Sequence, residues 1–358
     1  MDTKMLDLYT DHLMTCPRYA TATGLSATLD NEIKHDKVTQ FLASDDFNSQ
    51  QLWLLVKPTL RKTENEDGVI IFDDTISKKP YTDENKIICW HFDHSKGISV
   101  KGINILTGLY HNDGATIPIS YNIIEKPTEY TDPKTGKLKR KSEKTKNELF
   151  REMIVTSLGN TIKFKYVLAD IWFCSSENIE FIKDNDKEFI MGIKSNRLTA
   201  LSEQDKKEGK FLHLRDIAIE ENTARKVYLK GVKFPVLVTK QVFTNKDEST
   251  GILYLVCSNL NLEASEINTI YQKRWKVEEY HKSIKSNTAL EKSPTKTVRT
   301  QSNHIFASLY AFFKFERLRI KTNLNHFALK AKIYLKAAKA AFGELQELKL
   351  VHEIGGIA

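Results

Sequence analysis

Two short apolar runs, each followed directly by aspartate, constrain the fold of this chain most. Residues 68–72 read Gly-Val-Ile-Ile-Phe and precede Asp73 and Asp74, and residues 164–169 read Phe-Lys-Tyr-Val-Leu-Ala and precede Asp170. Such continuous runs are typical of strands buried on both faces of a sheet. We therefore predict two strands that end at their aspartates. If these strands are neighbours, Asp74 and Asp170 emerge side by side at one edge of the sheet.

The segments around these runs predict a mixed α/β core. Apolar residues at 87–92, 100–106 and 116–124 are separated by turn-like segments, which indicates an antiparallel meander. Residues 125–146 are rich in Lys and Arg and predict an exposed, flexible basic loop, with or without nucleic-acid contacts. A helix is expected over 147–158, because its apolar residues recur at helical spacing up to Gly159.

The second half continues this pattern, with a helix predicted at 176–183 and a strand at 188–193. Alternating apolar residues then predict a mainly β insertion, and the two ends of the chain read as helical. The predicted domains are a helical N-terminal segment with either a DNA-binding or a packing role at 1–65, a first core part at 66–193, a β-rich insertion at 194–260, a Glu-bearing core helix at 261–299 and a helical C-terminal region at 300–358.

The stretch 271–285 is predicted to be one helix with a charged stripe. Gaps of three, four and seven residues place four side chains on the same face, namely Tyr271, Arg274, Glu278 and Lys285. Apolar residues collect on another side of the helix, so one face can be buried while the stripe remains accessible. Taken alone, such a helix is more often an ordinary solvated amphipathic helix.

Charge and cysteine content narrow the class of protein. The net charge of +8 favours an anionic partner, although solubility alone also accounts for it. The four cysteines are scattered and fit neither a disulfide framework nor a cysteine zinc site, which favours a reducing cytoplasm. The first residues are too polar for a secretory signal, and no apolar run reaches membrane-spanning length. We expect an intracellular protein without a membrane partner.

Three carboxylates, from Asp74, Asp170 and Glu278, would repel one another strongly if they converged. Hard divalent cations with oxygen ligands, Mg²⁺ or Mn²⁺, are their natural partners. Two such ions roughly 3.5–4 Å apart can activate a nucleophile and stabilise the leaving oxygen in phosphoryl displacement. Aspartates at strand ends are common, so spacing alone supports this only weakly. The chain contains neither a phosphate-loop glycine pattern nor a nucleophile elbow.

The order strand-Asp, strand-Asp, β insertion, helix-Glu resembles that of the DDE transposases of bacterial insertion sequences. The stripe on the predicted helix matches the spacing Y-(2)-R-(3)-E-(6)-K, which is the YREK signature of the insertion-sequence-four type. The similarity extends from about Val69 to the C-terminal helices. It implies a ribonuclease-H-like mixed sheet core with a mainly β insertion before the last catalytic helix, flanked by helical N- and C-terminal segments.

The resemblance also implies roles for the acidic residues. Asp74, Asp170 and Glu278 would be catalytic and would bind two Mg²⁺ ions per active site, with Mn²⁺ able to substitute. Asp74 is preferred because the family's first aspartate commonly precedes Thr or Ser, as Asp74 precedes Thr75. Alternation along a strand puts Asp73 on the opposite face, where it would cap or contact a neighbour. The choice between Asp73 and Asp74 depends on this one threonine.

Basic and aromatic residues are candidates for contacts with DNA. The resemblance implies that Tyr271, Arg274 and Lys285 hold phosphates near the cleaved DNA end, and Lys282 is counted with them. Lys194 and Arg197 follow a strand near the site and are candidate DNA contacts. The tryptophans at 90, 172 and 275 are interpreted as core residues. Four insertion aromatics remain equal candidates for stacking on an extruded base: Phe211, Tyr228, Phe234 and Phe243. The turn His91-Phe-Asp93-His94 imitates a zinc site but is better explained as a polar turn.

The expected function is that of a DNA transposase that excises and reinserts an insertion sequence. The expected partners are transposon-end DNA and target DNA, with a homodimer in the synaptic complex. The expected location is the bacterial cytoplasm, in association with the nucleoid during the reaction. Two alternatives remain: a structure-selective metal-dependent nuclease that cuts without joining, and a non-catalytic DNA-binding descendant of a transposase.

Overall fold

The computed structural model describes residues 2–93, 97–244 and 247–355, and His94 of the predicted polar turn lies outside these ranges. The helices of the described part are α1 (Thr3–Thr15), α2 (Ala22–Thr28), α3 (His35–Ala43), α4 (Ser49–Thr63), α5 (Lys146–Gly159), α6 (Ser176–Asp184), α7 (Glu203–Lys207), α8 (Ala264–Gln272), α9 (Trp275–Asn287), α10 (Val298–Thr322) and α11 (His326–Gly355). None of these helices combines the length and apolarity that a bilayer crossing requires.

The strands form one large mixed sheet and a separate hairpin. Their bounds are β1 (Val69–Lys78), β2 (Cys89–Asp93), β3 (Ile98–Asn112), β4 (Ala115–Ile123), β5 (Thr128–Thr131), β6 (Leu138–Lys141), β7 (Tyr166–Ala169), β8 (Glu188–Ile193), β9 (Leu198–Ala200), β10 (Leu212–His213), β11 (Ala224–Leu229), β12 (Val236–Thr244) and β13 (Thr250–Cys257). The order in the sheet is β10-β9-β11-β12-β13-β8-β7-β1-β3-β2, and β4 also pairs with β3. Strands β1, β7 and β8 are parallel, and the other pairings are antiparallel.

This architecture confirms the predicted fold class. The antiparallel strands β1 to β4, the parallel strands β7 and β8 and the intervening α5 form a mixed α/β core, consistent with a ribonuclease-H-like fold. The mainly β insertion extends the same sheet, because β13 pairs with β8. Helices lie at both ends of the described chain, as predicted.

Strand β1 does not end at its aspartates, so that prediction was wrong. It continues to Lys78 because β3 pairs with it over its whole length, from Val69↔His111 to Lys78↔Gly102. The parallel pairing of β1 with β7 is shorter and stops at Phe72↔Ala169. The two aspartates of β1 therefore lie in the middle of the strand, immediately beyond the end of its parallel ladder.

The chain folds into two compact units. One contains residues 48–280, with the sheet, and the other contains the residues up to Phe47 together with those from His281 onward. The buried aromatic rings of the second unit contact one another, with ring centroids 5.3 Å apart for Phe41 and Phe47 and 5.1 Å apart for Phe47 and Phe306. The division falls within α9, and the domain boundaries predicted at 65, 193, 260 and 299 remain predictions.

The basic segment 125–146 contains regular structure that was not predicted. Strands β5 and β6 form an exposed two-stranded hairpin there. Its charges are partly neutralised, since Arg140 pairs with Glu129 and Lys139 pairs with Asp132. The segment is exposed, as predicted, but acidic partners reduce the charge that it presents to solvent.

The tryptophans at 90, 172 and 275 were predicted to be core residues, and the structure shows that this is wrong. Their exposed fractions are 53%, 47% and 63%, respectively. On β2 the cause is strand alternation, because Cys89 and His91 point inward and leave Trp90 on the outer face. At these three positions a large apolar side chain is therefore not a core residue.

Helix α5 is fixed to the sheet by a cap and by aromatic packing. Thr145 caps its first turn, and Glu148 completes the capping box. The Phe150 ring lies 4.8 Å from Phe72 of β1 and 5.0 Å from Phe173, measured between centroids. Gly108 of β3 allows this approach, since a Cβ atom there would lie 2.9 Å from the Phe72 ring.

Replacing Gly108 by alanine is therefore expected to lower the unfolding free energy of the unit that contains the sheet by about 1–3 kcal/mol, through overpacking. Urea unfolding of the full chain followed by circular dichroism measures the change. Gly159→Ala in α5 is the matched control, because no atom lies within 4 Å of its added Cβ, and it should be neutral or stabilising by up to about 1 kcal/mol. Equal unfolding midpoints for Gly108→Ala and the wild type would contradict the packing of α5 on β1.

Candidate active site

Asp73 and Asp170 lie next to each other across the end of a parallel ladder. The last paired residues of β1 and β7 are Phe72 and Ala169, so Asp73 and Asp170 are the next residues on their strands. Asp170 accepts the backbone N–H of Trp172 at 2.9 Å, which fixes its carboxylate in the turn after β7. Asp74 was predicted to emerge beside Asp170, but in the register Asp73 is the direct neighbour of Asp170 and Asp74 is one residue further along β1.

The two aspartates of β1 point to opposite faces of the sheet, as alternation predicts. Asp74 shares the face of Phe72, which packs against α5, and Lys146 at the start of α5 lies 2.8 Å from its Oδ1 atom. Asp73 shares the face of its cross-strand partner Thr107, whose hydroxyl lies 3.5 Å from that of Tyr280 on α9. Asp73 therefore faces α9, whereas Asp74 faces α5.

The charged stretch 271–285 is two helices and not one, so that prediction was wrong. Tyr271 lies in the last turn of α8, and Glu278 lies in the first turn of α9. Between the helices, the N–H of Arg274 bonds to Tyr271 O at 2.9 Å, and the N–H of Val277 bonds to Arg274 O at 3.0 Å. These bonds span three residues instead of four, which tightens the chain and places Arg274 at the junction.

Arg274 connects the junction to the carboxylates. Its Nη1 atom lies 3.8 Å from Asp73 Oδ2 and 3.5 Å from Glu278 Oε1. Its guanidinium carbon lies 5.7 Å from the ring centroid of Tyr271. Burial raises the pKa of Tyr271 to about 12, so the phenol keeps its proton near neutral pH and can donate it in a hydrogen bond. Three of the four stripe residues therefore lie together.

The carboxylates are held in an environment that disfavours their charge. Burial raises the pKa of Asp73 to about 8, with further contributions from the charges of Asp170 and Asp74. Burial also raises the pKa of Asp170, to which the Asp74 charge adds, while Arg274 and Lys146 act in the opposite direction. Arg274 on one face of β1 and Lys146 on the other thus offset part of the repulsion between the carboxylates.

This set of donors fits a divalent metal ion in its chemistry. Buried carboxylates that raise one another's pKa gain stability from a hard cation, which prefers oxygen ligands. The residues that would hold it are Asp170, Glu278 and an aspartate of β1. Within the described residues, no three acidic, histidine or cysteine side chains are already arranged as a metal cage, and Glu278 is paired with Arg274.

The other predicted DNA contacts lie in two places. Lys194 and Arg197 line a cavity after β8, next to Trp172. Lys282 and Lys285 belong to the part of α9 in the other unit, where Lys285 Nζ lies 3.5 Å from Glu291 and Lys282 Nζ lies 5.2 Å from the Phe327 ring centroid. Their contacts with DNA remain predictions.

Sequence reasoning missed Lys146, which it assigned to the basic loop. The residue is the first of α5, and its ammonium group lies beside Asp74. The signal that could have identified it is the capping box Thr145-x-x-Glu148, because a capping box marks the first helical residue. The start of α5 at Lys146 was therefore detectable from local sequence, whereas the position of Lys146 beside Asp74 depends on the packing of α5 against β1.

The sequence of the chain also matches a known family. Residues 2–210 match the sequence model of a family described as DDE superfamily endonuclease. The matched range covers more than half of the chain and includes β1, β7 and Asp170, and it ends before α8 and α9. No curated protein matches the chain.

The raised pKa of Asp73 predicts that stability falls as pH rises in the absence of divalent metal. The folded-state pKa of about 8 exceeds the ordinary value of 3.8, so the folded state holds a proton that the unfolded state releases. The unfolding free energy should therefore decrease between about pH 4 and pH 8, by at most about 5 kcal/mol. Urea unfolding in EDTA at about pH 5 and pH 8 measures this decrease.

The variant Asp73→Asn should reduce this pH dependence, because its amide does not ionise. The exposed Asp113, 91% accessible, provides the control Asp113→Asn, which should retain the wild-type dependence. An identical pH dependence in Asp73→Asn and the wild type would show that Asp73 is not the group that titrates.

Proposed function

The chain belongs to the DDE superfamily of endonucleases, and from this premise we propose that it is a DNA transposase that moves an insertion sequence by cut and paste. One observation carries the proposal: Asp73 and Asp170 adjoin at the end of the β1–β7 ladder, and Arg274 connects that position to Glu278. The family itself implies a metal-dependent nuclease that acts on DNA. Excision at terminal inverted repeats and insertion into target DNA are the finer parts of the proposal.

Asp74, Asp170 and Glu278 are the proposed catalytic residues and metal ligands. Two Mg²⁺ ions, or Mn²⁺ in their place, would activate the attacking hydroxyl and stabilise the leaving oxygen. Asp170 is oriented for this role by the N–H of Trp172. Glu278 is half-exposed and lies in the first turn of α9, so its carboxylate can leave Arg274 with little rearrangement of the backbone.

The two aspartates of β1 receive different roles. Asp74 is proposed as the ligand, since its carboxylate is held by a lysine side chain that is itself partly exposed and able to move. Asp73 is proposed to position Arg274 from the opposite face. The reverse assignment is supported by the register, in which Asp73 is the neighbour of Asp170. It is also supported by the faces of β1, since Asp73 and Glu278 both lie near Arg274 whereas Asp74 lies beside Lys146 of α5. Separate variants of the two residues distinguish these assignments.

Arg274 and Tyr271 are proposed to bind phosphates of the DNA end. In this structure the guanidinium group is shared between Asp73 and Glu278, and it becomes available for phosphate when those carboxylates have another cationic partner. Lys194, Arg197, Lys282 and Lys285 are proposed to add phosphate contacts that position the duplex. The proposed partners are transposon-end and target DNA, with a homodimer in the synaptic complex and the bacterial nucleoid as the place of action.

A structure-selective nuclease is the second candidate. Membership of the endonuclease family supports DNA cleavage, and cleavage is common to a nuclease and a transposase. The two functions differ in strand transfer, which a nuclease does not perform. A non-catalytic descendant is disfavoured because acidic side chains are present at each of the three expected positions.

Cleavage of duplex DNA carrying the inverted repeats that flank the gene tests the catalytic assignment. Wild-type protein should nick this DNA in Mg²⁺ or Mn²⁺, and Asp170→Asn and Glu278→Gln should each lower the rate by about 10³-fold or more, because each removes a metal ligand. Glu279→Gln is the matched control, since Glu279 is the next residue of α9 and pairs with Lys276. Cleavage at wild-type rates by Asp170→Asn would contradict the mechanism.

Strand transfer separates the two candidate functions. A transposase should join the liberated 3′ end of the labelled DNA to a circular plasmid, which is measured as labelled plasmid on a gel. Cleavage without joined product, under conditions in which both ends are present, would favour the nuclease.

The variants Asp73→Asn and Asp74→Asn, assayed side by side, identify the first metal ligand. Asp74→Asn should abolish cleavage, whereas Asp73→Asn should lower it by about 10-fold through the loss of Arg274 positioning. Titration of Mn²⁺ against the cleavage rate provides the second measurement, because removing a ligand raises the metal concentration required. A larger loss and a larger metal requirement in Asp73→Asn than in Asp74→Asn would reverse the assignment.

A further inference from the structure

We propose that a network of largely buried polar side chains at the C-terminal end of α9 positions Glu278 for metal binding. This inference rests on the proposed function, because it assigns positioning residues to a proposed metal ligand of the same helix. We call the network the α9 anchor, and all of its members belong to the unit that contains α10 and α11. They are Ser283, Asn287, Glu316, Arg319, His326 and Lys330.

Glu316 of α10 is the buried charge at the centre of the α9 anchor. Only 2% of its side chain is exposed. Arg319 of the same helix donates from Nε and from a terminal nitrogen to the two carboxylate oxygens, each at 2.8 Å. His326 is the first residue of α11, and its Nε2 atom lies 3.0 Å from the same carboxylate. Because an ionised carboxylate only accepts hydrogen bonds, the imidazole donates here.

The other ring nitrogen of His326 connects this carboxylate to α9. Ser283 Oγ lies 2.9 Å from His326 Nδ1, and the side-chain amide of Asn287 donates to Ser283 Oγ at 3.0 Å. In a neutral imidazole with its proton on Nε2, Nδ1 accepts the Ser283 hydroxyl, so each bond of the series has one donor and one acceptor. Ser283 and Asn287 are one helical turn apart. The α9 anchor therefore holds one face of α9.

Lys330 holds the end of α9. Its buried ammonium group donates at 2.9 Å to the carbonyl oxygen of Asn287, which is the last residue of the helix. A cation at this position interacts favourably with the negative end of the helix dipole. Burial lowers the pKa of Lys330 to about 8, so the group keeps most of its charge near neutral pH. The α9 anchor thus fixes both the rotation of α9 and its position along the axis.

Stability alone does not account for the α9 anchor. Removal of charged groups from water costs free energy, and apolar side chains of the same volume are often at least as stabilising. The opposite side of α9 is already buried through Val277 and Ile284. Apolar packing tolerates small rotations and shifts of a helix, whereas directional hydrogen bonds select one orientation. The contribution specific to the α9 anchor is therefore the orientation of α9.

The orientation of α9 determines where the Glu278 carboxylate lies. Glu278 and Ser283 belong to one 13-residue helix and lie roughly 7.5 Å apart along its axis. Side-chain atoms lie about 5–6 Å from a helix axis, so a rotation of about 20° would move the carboxylate by about 2 Å. Metal ligands require placement within about 0.5 Å. The break at Arg274 separates α9 from α8, so α8 does not set this orientation.

Ser283→Ala tests the α9 anchor through the loss of one hydroxyl group. This variant should require about 10-fold more Mn²⁺ for half-maximal DNA cleavage, the lower end of the range for groups that orient metal ligands. Excess Mn²⁺ should restore much of the rate, because Glu278 itself is present. Lys330→Met removes the cation at the end of α9 but keeps an apolar stem, and it should raise the Mn²⁺ requirement in the same direction.

Ser308→Ala is the matched control. Ser308 is a buried serine of the same unit, and its hydroxyl also lies beside a histidine, 3.5 Å from Nε2 of His304, but it is outside the α9 anchor. This control should keep the wild-type Mn²⁺ requirement. An unchanged requirement in Ser283→Ala or in Lys330→Met, or an equal rise in Ser308→Ala, would overturn the proposal.

Fluorine NMR measures the same effect without cleavage. The four tryptophans are replaced by 5-fluorotryptophan, and the signal of Trp275, the first residue of α9, is identified with Trp275→Phe. In metal-free protein, Ser283→Ala should shift or broaden this signal and leave the other three in place. Mn²⁺ bound at Glu278, one helical turn from Trp275, should broaden the same signal, and Ser283→Ala should need about 10-fold more Mn²⁺ for this broadening.

The two measurements separate this inference from the proposed function. Wild-type protein that cleaves DNA, with a Trp275 signal that does not respond to Ser283→Ala, would contradict the α9 anchor and leave the proposed function in place. A Trp275 signal that responds to Ser283→Ala and to Mn²⁺ as expected, in a protein that does not cleave DNA, would support the α9 anchor and contradict the proposed function.

Discussion

Repulsion between buried carboxylates on neighbouring strands is the constraint that organises the catalytic unit. Asp73 and Asp170 follow the last pair of the β1–β7 ladder, and burial raises the pKa of both. The charge of Asp170 adds to the shift of Asp73, and the charge of Asp74 adds to the shift of both. Arg274 and Lys146 oppose this effect from the two faces of the sheet. The flanking helices supply these cations: Lys146 comes from α5, and Arg274 comes from the junction between α8 and α9. An arrangement that costs stability in this way is characteristic of a functional site.

Each face of β1 thus carries one aspartate paired with a cationic side chain, and the two cations differ in how exposed they are. The Asp73–Arg274 pair is held by the tight junction between two helices, and both side chains are largely buried. The Asp74–Lys146 pair involves a flexible lysine in the first turn of a helix that follows an exposed hairpin. The proposed roles, with Asp73 as a positioning residue and Asp74 as a ligand, depend on this difference in the exposure of Arg274 and Lys146.

Local sequence predicted the elements around the site and the bounds of β8, but not the end of β1, the break between α8 and α9 or the exposure of the tryptophans. Apolar runs identified β7 and β8, since a strand buried on both faces has a distinctive composition. The length of β1 could not be read locally, because it is determined by pairing with the 15-residue strand β3. The break at Arg274 depends on the hydrogen bonds of one turn, which leave the periodicity of the sequence almost unchanged. The exposure of Trp172 depends on a cavity built by residues far apart in sequence.

The proposed mechanism requires that Asp170, which follows β7, Glu278 of α9 and an aspartate of β1 share divalent metal ions. Anomalous diffraction from crystals of the full chain bound to DNA and soaked in Mn²⁺ tests it most directly, because the signal locates the metal independently of any activity. The account predicts anomalous peaks with ligand oxygens from Asp170, Glu278 and one aspartate of β1, at distances of about 2.0–2.3 Å. Mn²⁺ bound only at other carboxylates of the chain, in crystals where DNA occupies the site, would contradict it.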